Sequence, residues 1–342
     1  MTQSRQLRVV AIGGGTGLST LLRGLKSYVA PASGTPPPAY PAPNPKPTLI
    51  DELSAIVTVT DDGGSSGRLR EDLNMLPPGD IRNCLVALSP DETLLSRLFQ
   101  YRFANGDLQG HSFGNLFLAA LTGITGDFGQ AVQTSSQILN SRGRIYPCTM
   151  ANATISARMD DGSIVHGETN ITASQRSITE LMLTPTDARA LPEALEAIAS
   201  ADLITIGPGS LYTSLITNLL VRDVPQAIAR SHATRVFICN LMTQANESLG
   251  LTASQHIEKI LDHAGSQIFD YALINTGPVD ARTLDQYARS GQSPIEADLN
   301  RIRALGVVPI TGNFVHQGDV LRHSYDVLAE TVLQLALETS AV

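Results

Sequence analysis

Five short segments gather glycines, hydroxyls, carboxylates and bases in patterns that could do chemistry. The first is Gly13-Gly14-Gly15-Thr16-Gly17, followed by Leu18 and Ser19. Glycines let the main chain turn sharply and come close to an anion. The amides then point outward as a nest, and a following helix adds its positive end. Thr16 and Ser19 can donate hydroxyl hydrogen bonds to phosphate oxygens. No Lys follows the glycines, so this is not a Walker A loop. Leu18 stands where a dinucleotide fingerprint needs its third glycine. The plain alternative is a structural strand-to-helix turn.

The second segment is Thr60-Asp61-Asp62-Gly63-Gly64-Ser65-Ser66-Gly67-Arg68. Adjacent carboxylates beside glycines and hydroxyls suit a metal ion, a ribose or a sugar hydroxyl, which makes Asp61 and Asp62 the candidate metal ligands. Arg68 and Arg70 suit phosphate. The third segment runs from Pro77 to Asn83. Here Asp80 could cap a helix starting at Ile81, with Arg82 and Asn83 reaching into the cleft. In the fourth, His111, Ser112 and Asn115 cluster at the entry to an apolar helix. There is no nucleophile elbow, so they make no Ser-His-Asp triad. The fifth is Gly207-Pro208-Gly209-Ser210, which repeats the logic of the first and is a second candidate anion contact. Arg322 is cast as a cation that swings over the sheet edge to a diphosphate.

These segments need elements to hold them. Apolar runs at 7–12, 54–60, 203–206, 236–240, 271–275 and 307–310 read as buried strands. Helical spacing follows residue 17 and recurs at 81–88, 94–103, 113–122, 128–139, 211–219 and 327–337. Asp161-Gly162 between β-prone runs at 154–158 and 163–168 signals a hairpin. Alternating strands and helices predict an α/β fold: a Rossmann-like, mostly parallel sheet with helices on both faces. It carries a small antiparallel hairpin insert at about 151–170. One domain spans 1–342, with a Pro-rich insertion at about 31–48.

Composition agrees. The 342 residues are 42% hydrophobic and 16% charged, enough for a real core. Trp is absent and aromatics are 5%, so that core is aliphatic. A net charge of −8 disfavours nucleic acid as a partner and leaves room for a local basic pocket. The three cysteines, far apart and in no CxxC pattern, fit a reducing compartment. A polar N-terminus without a signal-like apolar stretch, and the lack of any membrane-length apolar run, point to the cytoplasm.

Taken together, the segments resemble the gluconeogenesis factor family, itself similar in fold to the 2-phospho-L-lactate transferases. The stretches that carry the resemblance are VVAIGGGTGLSTLLRGLK, IVTVTDDGGSSGRLR, PPGDIRNCLVAL, GHSFGNLFLAAL and ADLITIGPGSLYTSLI, with LRHSYDVLAE near the end. The resemblance implies a regulatory role in growth and cell shape on gluconeogenic carbon sources. It also implies a nucleotide sugar, of the UDP-sugar type, as the bound partner, and it leaves a homodimer open. The transferase branch holds a metal at its acidic loop, which implies Mg at Asp61 or Asp62. The loop DDGGSSGR has the factor-type form, which counts against transfer chemistry and leaves open whether any reaction is catalysed. The alternative is a metal-assisted phospho-acyl transferase using a nucleotide-linked donor.

Overall fold

A computed structural model describes residues 6–30, 46–90, 94–174, 176–318 and 320–339. Most of the Pro-rich insertion, 31–45, lies outside the described residues. The first apolar run forms strand β1 (Leu7–Gly13). Further strands are β2 (Ile50–Val57), β3 (Arg144–Pro147), β4 (Thr154–Met159), β5 (Ile164–His166) and β6 (Ile178–Thr184). After them come β7 (Leu203–Ile206), β8 (Thr234–Ile238), β9 (Tyr271–Asn275), β10 (Val308–Gly312), β11 (Val315–His316) and β12 (Arg322–His323). The main sheet has the order β10-β9-β8-β7-β1-β2-β3, and all its pairings are parallel.

The chain leaves β1 toward β2 and β3, then crosses back to add β7 on the other side of β1. The order therefore reverses between β1 and β7. Ile12 pairs with Ile206 across that junction, so the glycines after each strand emerge side by side. In open α/β sheets ligands bind at such a switch point.

Alternate residues of β1 face opposite sides. Val10 and Ile12 join one apolar cluster, and Leu7, Val9 and Ala11 join the other. The second cluster is covered by α1 (Gly15–Leu25), α3 (Gly79–Leu88), α4 (Leu94–Gln100), α5 (Phe113–Thr125), α6 (Phe128–Ile138) and the final helix Tyr325–Thr339. The short α2 (Gly64–Leu73) follows β2. The first cluster takes α8 (Pro192–Ser200), the helix Ala253–Ala264 and the insert, whose α7 is Glu168–Ala173.

The structure revises several expected boundaries. The insert is three-stranded, β5-β4-β6, and continues to Thr184. Glu168 opens α7 instead of ending a strand. Strand β2 stops at Val57, so Thr58 to Thr60 form a buried approach to the acidic loop. The helix expected at 94–103 ends at Gln100.

Candidate functional site

Strand β1 delivers the chain to Gly14, an extended N-cap with no side-chain cap bond. Gly15 has φ +61, the left-handed conformation that favours glycine. No acidic residue occupies the first turn of α1. Its early amides are therefore left for an anion, except that Gly15 donates to the Asp80 carboxylate. Asn218 holds the floor: its Nδ2 donates to the Gly13 carbonyl at 3.1 Å. Gly17 packs main chain to main chain against the second loop, and a Cβ there would land on the Pro208 carbonyl.

Gly207, at φ +91, turns the chain out of β7. Asn240 then clamps Gly209 on both sides, accepting from its amide at 3.2 Å and donating to its carbonyl at 2.7 Å. Gln244 donates to Ser210 Oγ at 3.1 Å. A cavity of about 270 Å³ opens over both loops, lined among others by Gly15, Thr16, Gly17, Gly209, Ser210 and Arg322. Arg322 is placed by its neighbour. Burial pushes His323 down to about 4, so it stays neutral and its Nε2 donates to the Cys239 carbonyl at 3.1 Å. Strand alternation turns Arg322 outward. The structure thus brings together Gly14 to Gly17, Pro208 to Ser210 and Arg322.

The helix after the second loop corrects an expectation. Its first turn, Leu211–Ile216, is π-helical. Glu247 accepts from the Tyr212 amide at 3.1 Å and from Thr213 Oγ1 at 2.9 Å. Glu247 thus takes up two donors at this N-terminus, and Pro208 to Ser210 line the wall of the cavity.

The acidic loop divides its carboxylates. Asp62 Oδ1 accepts from the amide and hydroxyl of Thr169, at 2.8 and 2.6 Å, and so caps α7 from outside. Asp61 Oδ1 accepts from Gly63 at 2.9 Å. Asp80 is not a cap, because α3 begins at Gly79 with Pro78 as its N-cap. Instead it stands beside the cradle, where a Cβ on Gly14 would lie 2.7 Å from its Oδ2. Burial raises Asp80 to about 6, against the Gly15 hydrogen bond. Glu168 rises to about 9, first by burial and then through the fields of Asp61, Asp80, Glu247 and Asp62. Burial and these fields together favour its neutral form.

Among the described residues no three His, Cys, Asp or Glu side chains converge as a metal cage. Mg keeps several waters and needs only one or two carboxylates plus ligand phosphate. Asp62 Oδ1 is taken up by Thr169, while Asp61 Oδ2 and Asp80 Oδ2 lie beside Gly79 and Gly14 on the cradle side.

Other expected residues lie outside the lining of this cavity. Arg70 is buried and donates to the Ala153 carbonyl at 2.7 Å, tying α2 to the insert instead of to a phosphate. Arg68 reaches the Gln109 carbonyl at 2.8 Å. His111 Nδ1 lies 3.0 Å from Ser65 Oγ, which accepts from Asn115 Nδ2 at 3.1 Å. Burial, with Arg68 adding to it, lowers the His111 pKa. Ser112 caps α5 through the Asn115 amide. Gly63 and Gly64 form the turn into α2. Asn83 lines a different cavity, together with Arg82. Sequence reasoning missed Asn240 and Gln244, although Asn240 follows β8 at the same carboxyl edge.

The geometry defines a class: Rossmann-like α/β proteins with paired glycine loops at the switch point. The family can be stated more narrowly. The model of the family described as 2-phospho-L-lactate transferase CofD matches residues 9–315, and the chain belongs to that family. Within it, the chain is similar to curated relatives called gluconeogenesis factor. One, from Halalkalibacterium halodurans, is 46% identical over 98% of this chain and 99% of its own length. Another, from Bacillus subtilis, is 42% identical over 97% and 98%. A crystal structure of a Bacillus halodurans protein superposes with a TM-score of 0.88 at 46% identity, covering 96% of this chain and all of that one. Among the described residues no helix is long and apolar enough to cross a membrane.

Proposed function

We propose that this protein is a gluconeogenesis factor that binds a nucleotide sugar of the UDP-sugar type. On this reading it acts in the cytoplasm as a regulator of growth and cell shape on gluconeogenic carbon sources. One observation carries the reading: the uncapped glycine turn into α1 and Arg322 face each other across one cavity at the switch point. Backbone amides and a guanidinium together match a diphosphate. The names of the similar relatives support the regulatory role. The test is a thermal-shift and calorimetric titration with UDP-N-acetylglucosamine and UDP-glucose. Ligand at one hundred times its dissociation constant should stabilise the fold by ~2.7 kcal/mol. No shift at millimolar ligand sinks the reading.

A second reading is favoured by Asp80 beside the cradle with Asp61 nearby. On it, Asp61 and Asp80 would hold Mg, which would supply charge stabilisation for a phospho-acyl transfer. An acceptor hydroxyl attacks the donor phosphorus, the phosphoanhydride bond breaks, and nucleoside monophosphate leaves. Release of nucleoside monophosphate from an activated donor, lost in Asp80→Asn and in Asp61→Asn, would establish it. Equal release by wild type and both variants rejects it.

A further inference from the structure

A second cavity lies across α1 from the glycine cradle. Thr20 lines the first cavity and its chain neighbour Ser19 lines the second, so α1 is their common wall. The second measures about 470 Å³. Three helices each contribute one arginine to it: Arg23 from α1, Arg82 from α3 and Arg97 from α4. Asn83 and Gln100 add polar edges.

Asp80 and Asp61 act on Arg82 through their charge, but no ion pair closes on it among the described residues. Among the described residues none of the three makes an ion pair, and none of the lining side chains is acidic. Arg23 stacks over the Tyr325 ring at 5.9 Å, which orders the side chain and leaves its N–H edge unpaired. Arg82 spends Nη2 on Asn83 Oδ1 at 2.7 Å, while its Nε is buried with no acceptor. A buried guanidinium N–H without an acceptor is a standing cost, and it marks Arg82 as the incompletely paired member of the three.

We propose that this cavity is a second anion site, which takes a small polyanion bearing phosphate or carboxylate groups. Asn83 belongs to it and not to the cradle. Because α1 is the shared wall, an anion on the arginine side bears on the turn that presents the cradle amides. Occupancy of the two cavities is therefore coupled, and by linkage the coupling is reciprocal. Only this coupling rests on the nucleotide-sugar reading; the site itself does not.

The experiment uses the full chain with inorganic pyrophosphate and citrate as probes. Both are titrated by calorimetry into a Gly15→Val background, which blocks the cradle. One binding event is expected. Pyrophosphate alone marks a phosphate site, citrate alone a carboxylate site, and both a general polyanion site. Arg23→Gln with Arg97→Gln, two exposed positions, should weaken it by about tenfold or more, the worth of a lost charged hydrogen bond. Arg158→Gln, on the far insert, should change nothing. Arg82→Lys keeps the charge, removes Nε and should still weaken binding several-fold, which decides the matter if the double variant misfolds. No binding of either probe, or undiminished binding in the arginine variants, overturns the site. In wild type, saturating pyrophosphate should change the UDP-N-acetylglucosamine affinity. If it does not, the coupling is wrong. If that ligand never binds, the cradle reading fails while the titrations in the Gly15→Val background still judge the second site.

Discussion

Gly15 and Gly17 differ in what a side chain would meet. Only Ser214 Oγ, at 3.8 Å, lies near a Cβ built on Gly15, whereas one on Gly17 strikes the Pro208 main chain. Gly15→Val should thus keep its fold at a strain of roughly 1–2 kcal/mol and lose nucleotide-sugar binding. Gly17→Ala should destabilise by about 1–3 kcal/mol, because backbone cannot step aside as a side chain can. Circular dichroism melts beside calorimetry separate the two, and full binding by Gly15→Val would move the ligand off this loop. Thr16→Ala should cost only about 0.5–1.5 kcal/mol of affinity, one hydrogen bond. Asp80 brings in pH. Its folded value of about 6 lies above its ordinary 3.8. The folded state therefore holds the proton more tightly, and the charged form costs stability as pH rises from the lower value through the upper. Asp80→Asn should stabilise at pH 8 by on the order of 2–3 kcal/mol, with the gain shrinking toward pH 4. Urea denaturation at both pH values checks this. A gain that ignores pH would mean that charge burial is not its cause.

The insert is fastened to the main sheet partly by Asp62, a cap supplied to α7 from another element. Asp62→Ala should speed amide exchange over residues 168–173 and leave β1 and β7 protected; uniform exchange across the chain would contradict that role. The same contact marks where sequence reading stopped. Continuous apolar runs gave away β1, β2 and β7, because a strand buried on both faces has no polar residues to disguise it. Strand β3, only Arg-Ile-Tyr-Pro at the sheet edge, lacks that signature. So does β6, Ile-Thr-Glu-Leu-Met-Leu-Thr, half of which faces water. In the site the glycines were legible, since a turn between strand and helix needs them locally. Glu247, Asn240 and Gln244 were not, because they meet their partners 31 to 35 positions back along the chain. Asp80 was read as a local cap when its meaning lies in a contact with a turn far upstream.

At the scale of the whole molecule, the switch-point cavity is lined from both halves of the sheet, by the turn into α1 after β1 and by the loop after β7. A nucleotide sugar should therefore slow hydrogen exchange in the apolar clusters on both faces together; protection confined to one face would mean it binds off the junction. The final helix has a consequence of a different kind. Leu328, Val332 and Leu333 cover the same cluster as Leu18, Leu21, Leu22 and Leu25 of α1, and Gly24 lets Tyr325 approach to main-chain contact. About 300 residues separate the two helices. A ribosome adding roughly 5–20 residues each second holds α1 without its cover for roughly 15–60 s. This part of the cluster is thus completed late. During that interval its leucine face is a ready substrate for trigger-type chaperones, and a message truncated before codon 325 yields a product marked for proteolysis by that bare stripe.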